Sequence, residues 1–197
     1  MRSLPPLPTV WQINPCLQQA INVMEACYCT TACRVSEYRH HRGHWPQEDV
    51  AAVQRDLITL VRANREGEFA ALVDIARVFA IRNRDPTLWC CRQCRPVTAT
   101  LLVHCAEAGV PWERAARGQL FDDDFPRLTT AAGRLAASPL VLCESRGAVA
   151  LASSVEALAV GRALRLALCD WTPKGDELRS LTAASRRLGL SVVFPRR

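Results

Sequence analysis

The turn at residues 64–69 places charged side chains where many nucleotide-binding proteins hold phosphate. An apolar run at 58–61 precedes this turn, and a helical pattern of apolar residues follows it. Such a strand, turn and helix bind phosphate when glycine N–H groups, a lysine and a hydroxyl surround the anion. In this turn Gly67 is followed by Glu68 and Phe69. The sequence therefore has the scaffold of a phosphate loop, with acidic residues where the anion would lie.

Two cysteines, Cys91 and Cys94, have the C-x-x-C spacing of zinc sites and of redox-active dithiols. A structural zinc site needs four Cys or His ligands, usually in close pairs. The other candidate ligands are irregularly spaced, and no thioredoxin-like pattern surrounds the C-x-x-C. We therefore expect no bound metal and interpret the thiols as buried or incidental, with Cys91 and Cys94 as the zinc candidates. The irregular group is Cys27, Cys29, Cys33, His40, His41 and His44.

The chain has a formal net charge of +6 and a pI near 9.0, which mildly favours an anionic partner such as DNA. Arginines are scattered along the sequence rather than grouped in one basic segment. Arg196 and Arg197, together with Arg186 and Arg187, are the candidate contacts to a phosphate backbone. The alternative is that these side chains only solvate a helix face and the end of the chain.

The composition is that of an ordinary globular protein, with 49% hydrophobic and 22% charged residues. A chain of 197 residues suits one domain with a sizeable core. No apolar run approaches the roughly 20 residues that a membrane-spanning helix needs. The N-terminus has no long apolar segment after Arg2, so a secretory signal is not expected. We therefore expect a cytoplasmic protein without membrane association.

Apolar runs alternate with helical patterns from residue 47 onward, which predicts an α/β fold with a mainly parallel sheet flanked by helices. Strands are predicted at 57–61, 87–91, 140–143, 164–170 and 190–194. Helices are predicted at 70–82, 98–108, 112–117, 125–137, 153–160 and 177–188. Residues 1–45 are interpreted as a short, irregular N-terminal extension with a proline-rich start, a short helix at 16–29 and a Cys- and His-containing loop.

The segment AEAGVPWERAARGQLFDDDFPRLTTAAGRLAASPLVL, residues 106–142, is more specific than generic α/β sequence. It resembles the C-terminal, RecA-like motor domain of DnaB-type replicative helicases, and the similarity extends over about residues 46–197. The matching residues, in order and spacing, are Ala108-Gly109-Val110, Arg117-Gly118-Gln119-Leu120, Asp124, Arg127-Leu128, Ala132-Gly133-Arg134-Leu135-Ala136 and Pro139-Leu140.

The resemblance implies a RecA-like core whose family binds ATP and Mg²⁺, and it places the Walker A loop on Gly67, Glu68 and Phe69. Glu68 then stands at the lysine position, and each such charge contact with polyphosphate is worth on the order of 4 kcal/mol at an effective dielectric near 20. Phe69 replaces the hydroxyl that holds Mg²⁺. Gln93 stands at the position of the catalytic glutamate, and an amide cannot accept a proton from water. Asp170 matches the Walker B aspartate. These substitutions imply no catalytic residue and no bound cofactor.

Three functions remain open from the sequence. The first is a non-catalytic protein that binds or regulates a replicative helicase or another replication protein, possibly as an oligomer. The second is a divergent ATP-dependent helicase or ATPase subunit whose site a neighbouring chain completes. The third is a decayed or truncated helicase gene product without activity, since the chain ends where the family's sensor and arginine finger begin.

Overall fold

A six-stranded sheet forms the centre of the computed structural model, which describes residues 10–29, 58–62, 68–144, 155 and 163–196. The order across the sheet is β1-β4-β3-β5-β6-β2; β1 pairs antiparallel with β4, and the other neighbours are parallel. This arrangement confirms the predicted α/β fold with a mainly parallel sheet, and it is consistent with a RecA-like core. The strands are β1 Val10–Gln12, β2 Ile58–Arg62, β3 Thr87–Cys91, β4 Leu140–Glu144, β5 Leu166–Cys169 and β6 Ser191–Arg196.

Six α-helices surround the sheet in the described residues. The predicted helices at 70–82, 98–108, 112–117, 125–137 and 177–188 are confirmed with small shifts at their ends. The helix predicted at 70–82 is α-helical only as far as Ala76. It continues as a π-helix at Arg77–Arg82, where the Asn83 N–H donates to the Val78 carbonyl. The helices are α1 Ile13–Cys29, α2 Glu68–Ala76, α3 Pro96–Ala108, α4 Trp112–Ala116, α5 Asp124–Ala136 and α6 Asp176–Leu188.

The sheet is buried on both faces, so its strands are nearly continuous apolar runs rather than alternating ones. Successive residues of β3 point to opposite faces, and all five are buried. Trp89 belongs to the core shared with α1, α2, α3 and α5, whereas Leu88 and Cys90 belong to the core shared with α6. Because a core lies against each face of β3, the whole strand is apolar or buried, and its bounds could be predicted to the residue.

Two glycines end helices at positions that require a left-handed backbone. Gly109 follows α3 with φ of +66°, and its N–H donates to the Ala106 carbonyl. Gly189 follows α6 with φ of +61°, as the sequence predicts for a helix C-terminus. Pro96 begins α3, where a missing N–H leaves no helical bond unmade. Pro96 and Gly109 therefore fix both ends of α3, the helix that follows β3.

The aspartate run at 122–124 precedes a helix, where aspartate commonly serves as an N-cap, but it acts differently here. Asp123 precedes α5 but makes no side-chain capping bond, and Asp124 lies in the first turn. The Asp124 carboxylate accepts hydrogen bonds from the Phe121 N–H at 2.9 Å and from Arg114 Nη2 at 2.8 Å. Asp124 therefore folds the preceding turn back onto the helix, from a buried position.

The expectation of an irregular start to the chain is corrected at residues 10–15, which form β1 and the first residues of α1. β1 adds to the edge of the sheet, with Trp11 opposite Leu142, and α1 packs against α3 and α5. Cys16 and Ala20 are fully buried in the core of that face, and Met24 is 6% exposed. The predicted short helix at 16–29 is confirmed and begins three residues earlier. This part of the extension therefore belongs to the same core as the sheet.

Several sequence predictions fall outside the described residues. They are the Cys- and His-containing loop after residue 29, Gly67, most of the helix predicted at 153–160, and Arg197. Val155, within that predicted helix, is described and buried. Within the ranges described above, no helix combines the length and apolar character needed to cross a membrane.

Candidate functional site

The order of the strands defines one crevice at the middle of the sheet. From β3 the chain crosses to β4 on one side, and from β5 it crosses to β6 on the other side. In open α/β sheets, ligands bind beyond the carboxyl ends of the strands at such a switch point. Arg92, Gln93 and Cys94 follow β3 there, and Asp170 and Trp171 follow β5. The crevice therefore brings together residues that lie almost eighty positions apart in the sequence.

The Asp170 carboxylate is surrounded by backbone N–H groups of the loop after β3. Its Oδ1 accepts from the Arg92 N–H at 2.8 Å and the Gln93 N–H at 3.1 Å. Its Oδ2 accepts from the Gln93 N–H at 3.0 Å and the Cys94 N–H at 2.9 Å. Successive N–H groups that point inward form an anion-binding concavity. In this chain the anion is an internal carboxylate, which is 1% exposed.

Two opposing effects act on the Asp170 carboxyl group. Burial raises the pKa of Asp170 because water no longer solvates its charged form. The hydrogen bonds from Cys94, Gln93 and Arg92 favour the charged form and offset part of that rise. The N–H groups of the loop therefore offset part of the cost of burying the Asp170 charge.

Cys91, Cys94 and Asp170 form a buried group that we call the thiol–carboxylate cluster. One Sγ atom from each cysteine and one carboxylate oxygen all lie within 4.8 Å of one another. Cys91 is fully buried and Cys94 is 7% exposed. From the sequence, the two cysteines are paired as zinc candidates, whereas Asp170 is placed separately, at the Walker B position. The structure places all three in one cluster.

The thiols of the cluster are protonated at neutral pH. A hydrogen bond to Cys94, reinforced by burial, raises the pKa of Cys91 well above its usual value. The bond from Cys91 lowers the pKa of Cys94, but burial and the Asp170 charge outweigh it, so that pKa is raised. Because the thiolate is the nucleophilic form of cysteine, neither residue is activated for attack.

An aromatic and charged rim covers the mouth of the crevice. The Arg92 guanidinium lies 5.3 Å from the centroid of the Trp171 ring. Glu177 Oε1 accepts from both Arg92 Nη1 and Trp171 Nε1, each at 3.2 Å. Trp171 is 5% exposed, whereas the Gln93 side chain is exposed. Gln93 therefore contributes its backbone N–H to the cluster while its amide lies in solvent.

The structure distributes the remaining predicted site residues over other positions. Glu68 opens α2, directly followed by Phe69, after β2 at the edge of the sheet. One strand, β6, separates β2 from β5, so the predicted Walker A segment follows a different strand from Asp170. Arg196 ends β6 opposite Arg62 of β2. Among the predicted site residues within the described ranges, the structure brings together Gln93, Asp170, Cys91 and Cys94.

A second cavity was missed by sequence analysis because its polar residue lies in an apolar run. The cavity has a volume of about 160 Å³, and its lining includes Ile21, Met24 and Leu128 from α1 and α5. His104 of α3 lines it too, and its Nε2 lies 2.8 Å from the Leu128 carbonyl oxygen. Since a carbonyl only accepts, Nε2 must donate and therefore carries the proton. Burial lowers the pKa of His104, and the bond to Leu128 partly opposes this shift.

The sequence of this chain was compared with protein families and with curated proteins. No protein-family model matches the chain, and no curated protein matches it. The helicase resemblance therefore rests on the motif residues of the chain itself.

Replacing the Asp170 carboxylate should destabilise the fold. In Asp170→Asn, the single amide oxygen cannot accept from all three N–H groups. The amide NH₂ would then point at other N–H donors, so some of these donors are left without an acceptor. We expect the free energy of unfolding to fall by about 3 kcal/mol, the penalty for buried donors without partners. Urea denaturation followed by tryptophan fluorescence measures this change. The matched control is Asp122→Asn at an exposed site, expected within about 0.5 kcal/mol of wild type; equal stabilities for the two variants would contradict the structure.

His104 should make the stability of the protein depend on pH. Its folded pKa is depressed, so its neutral form is favoured in the folded state and its contribution to stability is complete above the unfolded pKa of about 6.5. That contribution is lost as the pH falls below 6.5 towards the folded pKa, with a slope of at most about 1.4 kcal/mol per pH unit.

The test compares urea denaturation of wild type and His104→Gln at pH 7 and pH 5. The glutamine Nε2 can still donate to the Leu128 carbonyl but cannot become charged. We expect the variant to lose less stability than wild type between the two pH values. Parallel losses would show that His104 does not titrate on unfolding.

Proposed function

We propose that this chain is a DnaB helicase-like protein connected with DNA replication, which does not hydrolyse ATP and acts in the cytoplasm by binding or regulating a replicative helicase. The motif residues at 106–142 and the α/β core with its mainly parallel sheet support this proposal. The strand order adds further support, because it brings together Gln93 and Asp170. The resemblance assigns these two residues to one catalytic centre.

One observation carries the non-catalytic part of the proposal: the Asp170 carboxylate occupies the N–H groups of the loop after β3. An anion-binding concavity at the switch point is thereby filled by the protein's own charge. Two potential side-chain ligands, the sulfur atoms of Cys91 and Cys94, lie within 4.8 Å of the Asp170 carboxylate. Mg²⁺ prefers oxygen ligands in octahedral geometry, so this surrounding does not suit the ion that accompanies ATP.

At the position that the resemblance assigns to the catalytic glutamate, the crevice carries Gln93. Gln93 offers an amide, which orients water but does not take its proton. The thiols of the cluster are neutral, since the pKa values of Cys91 and Cys94 are both raised. The only carboxylate of the cluster is engaged by three N–H groups. These features favour a binding function over hydrolysis.

An exposed aromatic pair at the start of α5 supplies a surface for a protein partner. Phe121 is 63% exposed and Phe125 is 41% exposed. The Arg114 guanidinium lies 4.4 Å from the Phe121 ring centroid, and Asp124 holds Arg114 in place at 2.8 Å. Exposed apolar side chains in a fixed arrangement are typical of interaction sites, and aromatic residues and arginine are enriched among their energetic centres.

Removing one ring should weaken binding to the partner. We expect Phe121→Ser to reduce affinity for the host's replicative helicase at least tenfold, because an aromatic anchor at an interface contributes about 2 kcal/mol or more. Co-purification and a titration at micromolar concentrations measure it. Gln119→Ser is the control, an exposed residue of the same turn. No detectable contact between the wild-type chain and the helicase would refute the proposed partner.

A nucleotide titration tests the non-catalytic character independently. We expect no saturable binding of a fluorescent ATP analogue at micromolar concentrations, with or without Mg²⁺, because Glu68 repels polyphosphate and Asp170 fills the central anion site. Fluorescence anisotropy provides the measurement. Saturable micromolar binding would favour the alternative of a divergent ATPase subunit.

A further inference from the structure

The thiol–carboxylate cluster has the composition of a transition-metal site. Two sulfur atoms and a carboxylate oxygen converge within 4.8 Å, from the loop after β3 and the end of β5. Thiolate ligands select zinc and other soft metals over Mg²⁺ and Ca²⁺. The C-x-x-C spacing of Cys91 and Cys94 is that of paired zinc ligands. The ligand types therefore point to zinc.

The separations of the three atoms fit a tetrahedral ion. Zinc binds sulfur at about 2.3 Å and carboxylate oxygen at about 2.0–2.2 Å, which puts neighbouring ligands of a tetrahedron roughly 3.5–3.8 Å apart. Atoms that already lie within 4.8 Å reach this geometry through a movement of about 1 Å.

The hydrogen bonds of Asp170 prepare this carboxylate for a metal. Two carboxylate oxygens offer about four lone-pair sites. The Gln93 N–H is shared between Oδ1 and Oδ2, so a lone-pair site opens for an ion when this N–H bonds to one oxygen alone. Carboxylates that bind metals in proteins are themselves hydrogen-bonded, which orients them towards the ion. The same N–H groups also offset part of the negative charge that two thiolates and a carboxylate would concentrate.

We propose that Cys91, Cys94 and Asp170 bind one zinc ion, with a water molecule at the fourth position. Binding replaces the two S–H protons by the ion, so that Zn²⁺ and two thiols give a zinc dithiolate and two released protons. Three protein ligands and a water at the fourth position distinguish this arrangement from closed structural sites with four protein ligands. The zinc site does not depend on the proposed helicase partner, because the surface proposed for that partner lies elsewhere on this chain, at Phe121 and Phe125.

The other face of the sheet shows what distinguishes this cluster from buried thiols in general. Cys143, Cys90 and Cys169 are aligned across β4, β3 and β5 and are all fully buried. The outer two are separated by two strand spacings, about 10 Å, so one ion cannot bridge all three. Those thiols line up across the sheet, whereas Cys91 and Cys94 converge with a carboxylate.

Zinc affinity of matched variants tests the proposal. The full chain is stripped with a chelator, and zinc binding is measured by competition with a chromophoric chelator. We expect Cys91→Ser and Cys94→Ser each to weaken zinc binding at least about tenfold to 100-fold, the loss that removal of even an outer partner causes. Cys105→Ser, which removes another buried thiol from α3, should bind zinc as wild type does. Circular dichroism checks that each variant is folded.

Two spectroscopic measurements keep the test decisive if the serine variants do not fold. Cobalt added to the wild-type protein should give a thiolate charge-transfer band and the visible bands of a tetrahedral ion. X-ray absorption at the zinc edge should show two sulfur ligands at about 2.3 Å, with oxygen completing the shell. A shell with four sulfur atoms or none, or affinity unchanged in Cys91→Ser and Cys94→Ser, would overturn the proposal. So would failure of the wild-type chain to retain zinc.

Discussion

The hydrogen bonds between the Asp170 carboxylate and the loop after β3 determine the centre of this molecule. They join the end of β5 to the segment that leads from β3 into α3, at the point where the chain changes direction across the sheet. Three N–H groups that precede a helix would otherwise need water or a ligand. Because a buried carboxylate supplies that acceptor, the loop keeps a conformation that turns both cluster thiols inward and leaves Arg92 and Gln93 outside.

This constraint bears on which ligand the crevice suits, and it favours the proposed metal over a phosphate. An open switch point offers its N–H groups to an external anion, whereas here the same donors are already satisfied by a side chain. The other potential ligand atoms beside Asp170 in the cluster are two buried sulfur atoms. Phosphate would meet a negative charge and neutral thiols, while a soft cation would meet three ligand atoms. The crevice therefore disfavours an external anion because the Asp170 carboxylate already occupies the N–H groups of the loop.

Local patterns predicted the fold better than they predicted the site. The apolar run at 87–91 gave β3 without error, because both of its faces are buried and every residue is apolar or a small threonine. β1 was missed, because it has three residues, follows prolines and is stabilised only by pairing with the distant β4. The cluster depends on the register of β3 beside β5, and no local pattern encodes a contact between positions 94 and 170. His104 was hidden for a related reason, since its partner is a backbone carbonyl on another helix.

The hydrogen bonding of buried polar groups bears on whether this chain is a maintained protein or a decaying gene product. Random substitution in a core leaves polar groups without partners, and each such group destabilises the fold by about 1–3 kcal/mol. In the described part of the chain, buried Asp124, Asp170 and Ser185 are all hydrogen-bonded. Three buried side-chain nitrogens there lack a protein partner, a number in keeping with native proteins of this size. Under the proposed function, Glu68 at the position of the family's lysine therefore coexists with a consistently hydrogen-bonded core, which favours a changed function over the absence of one.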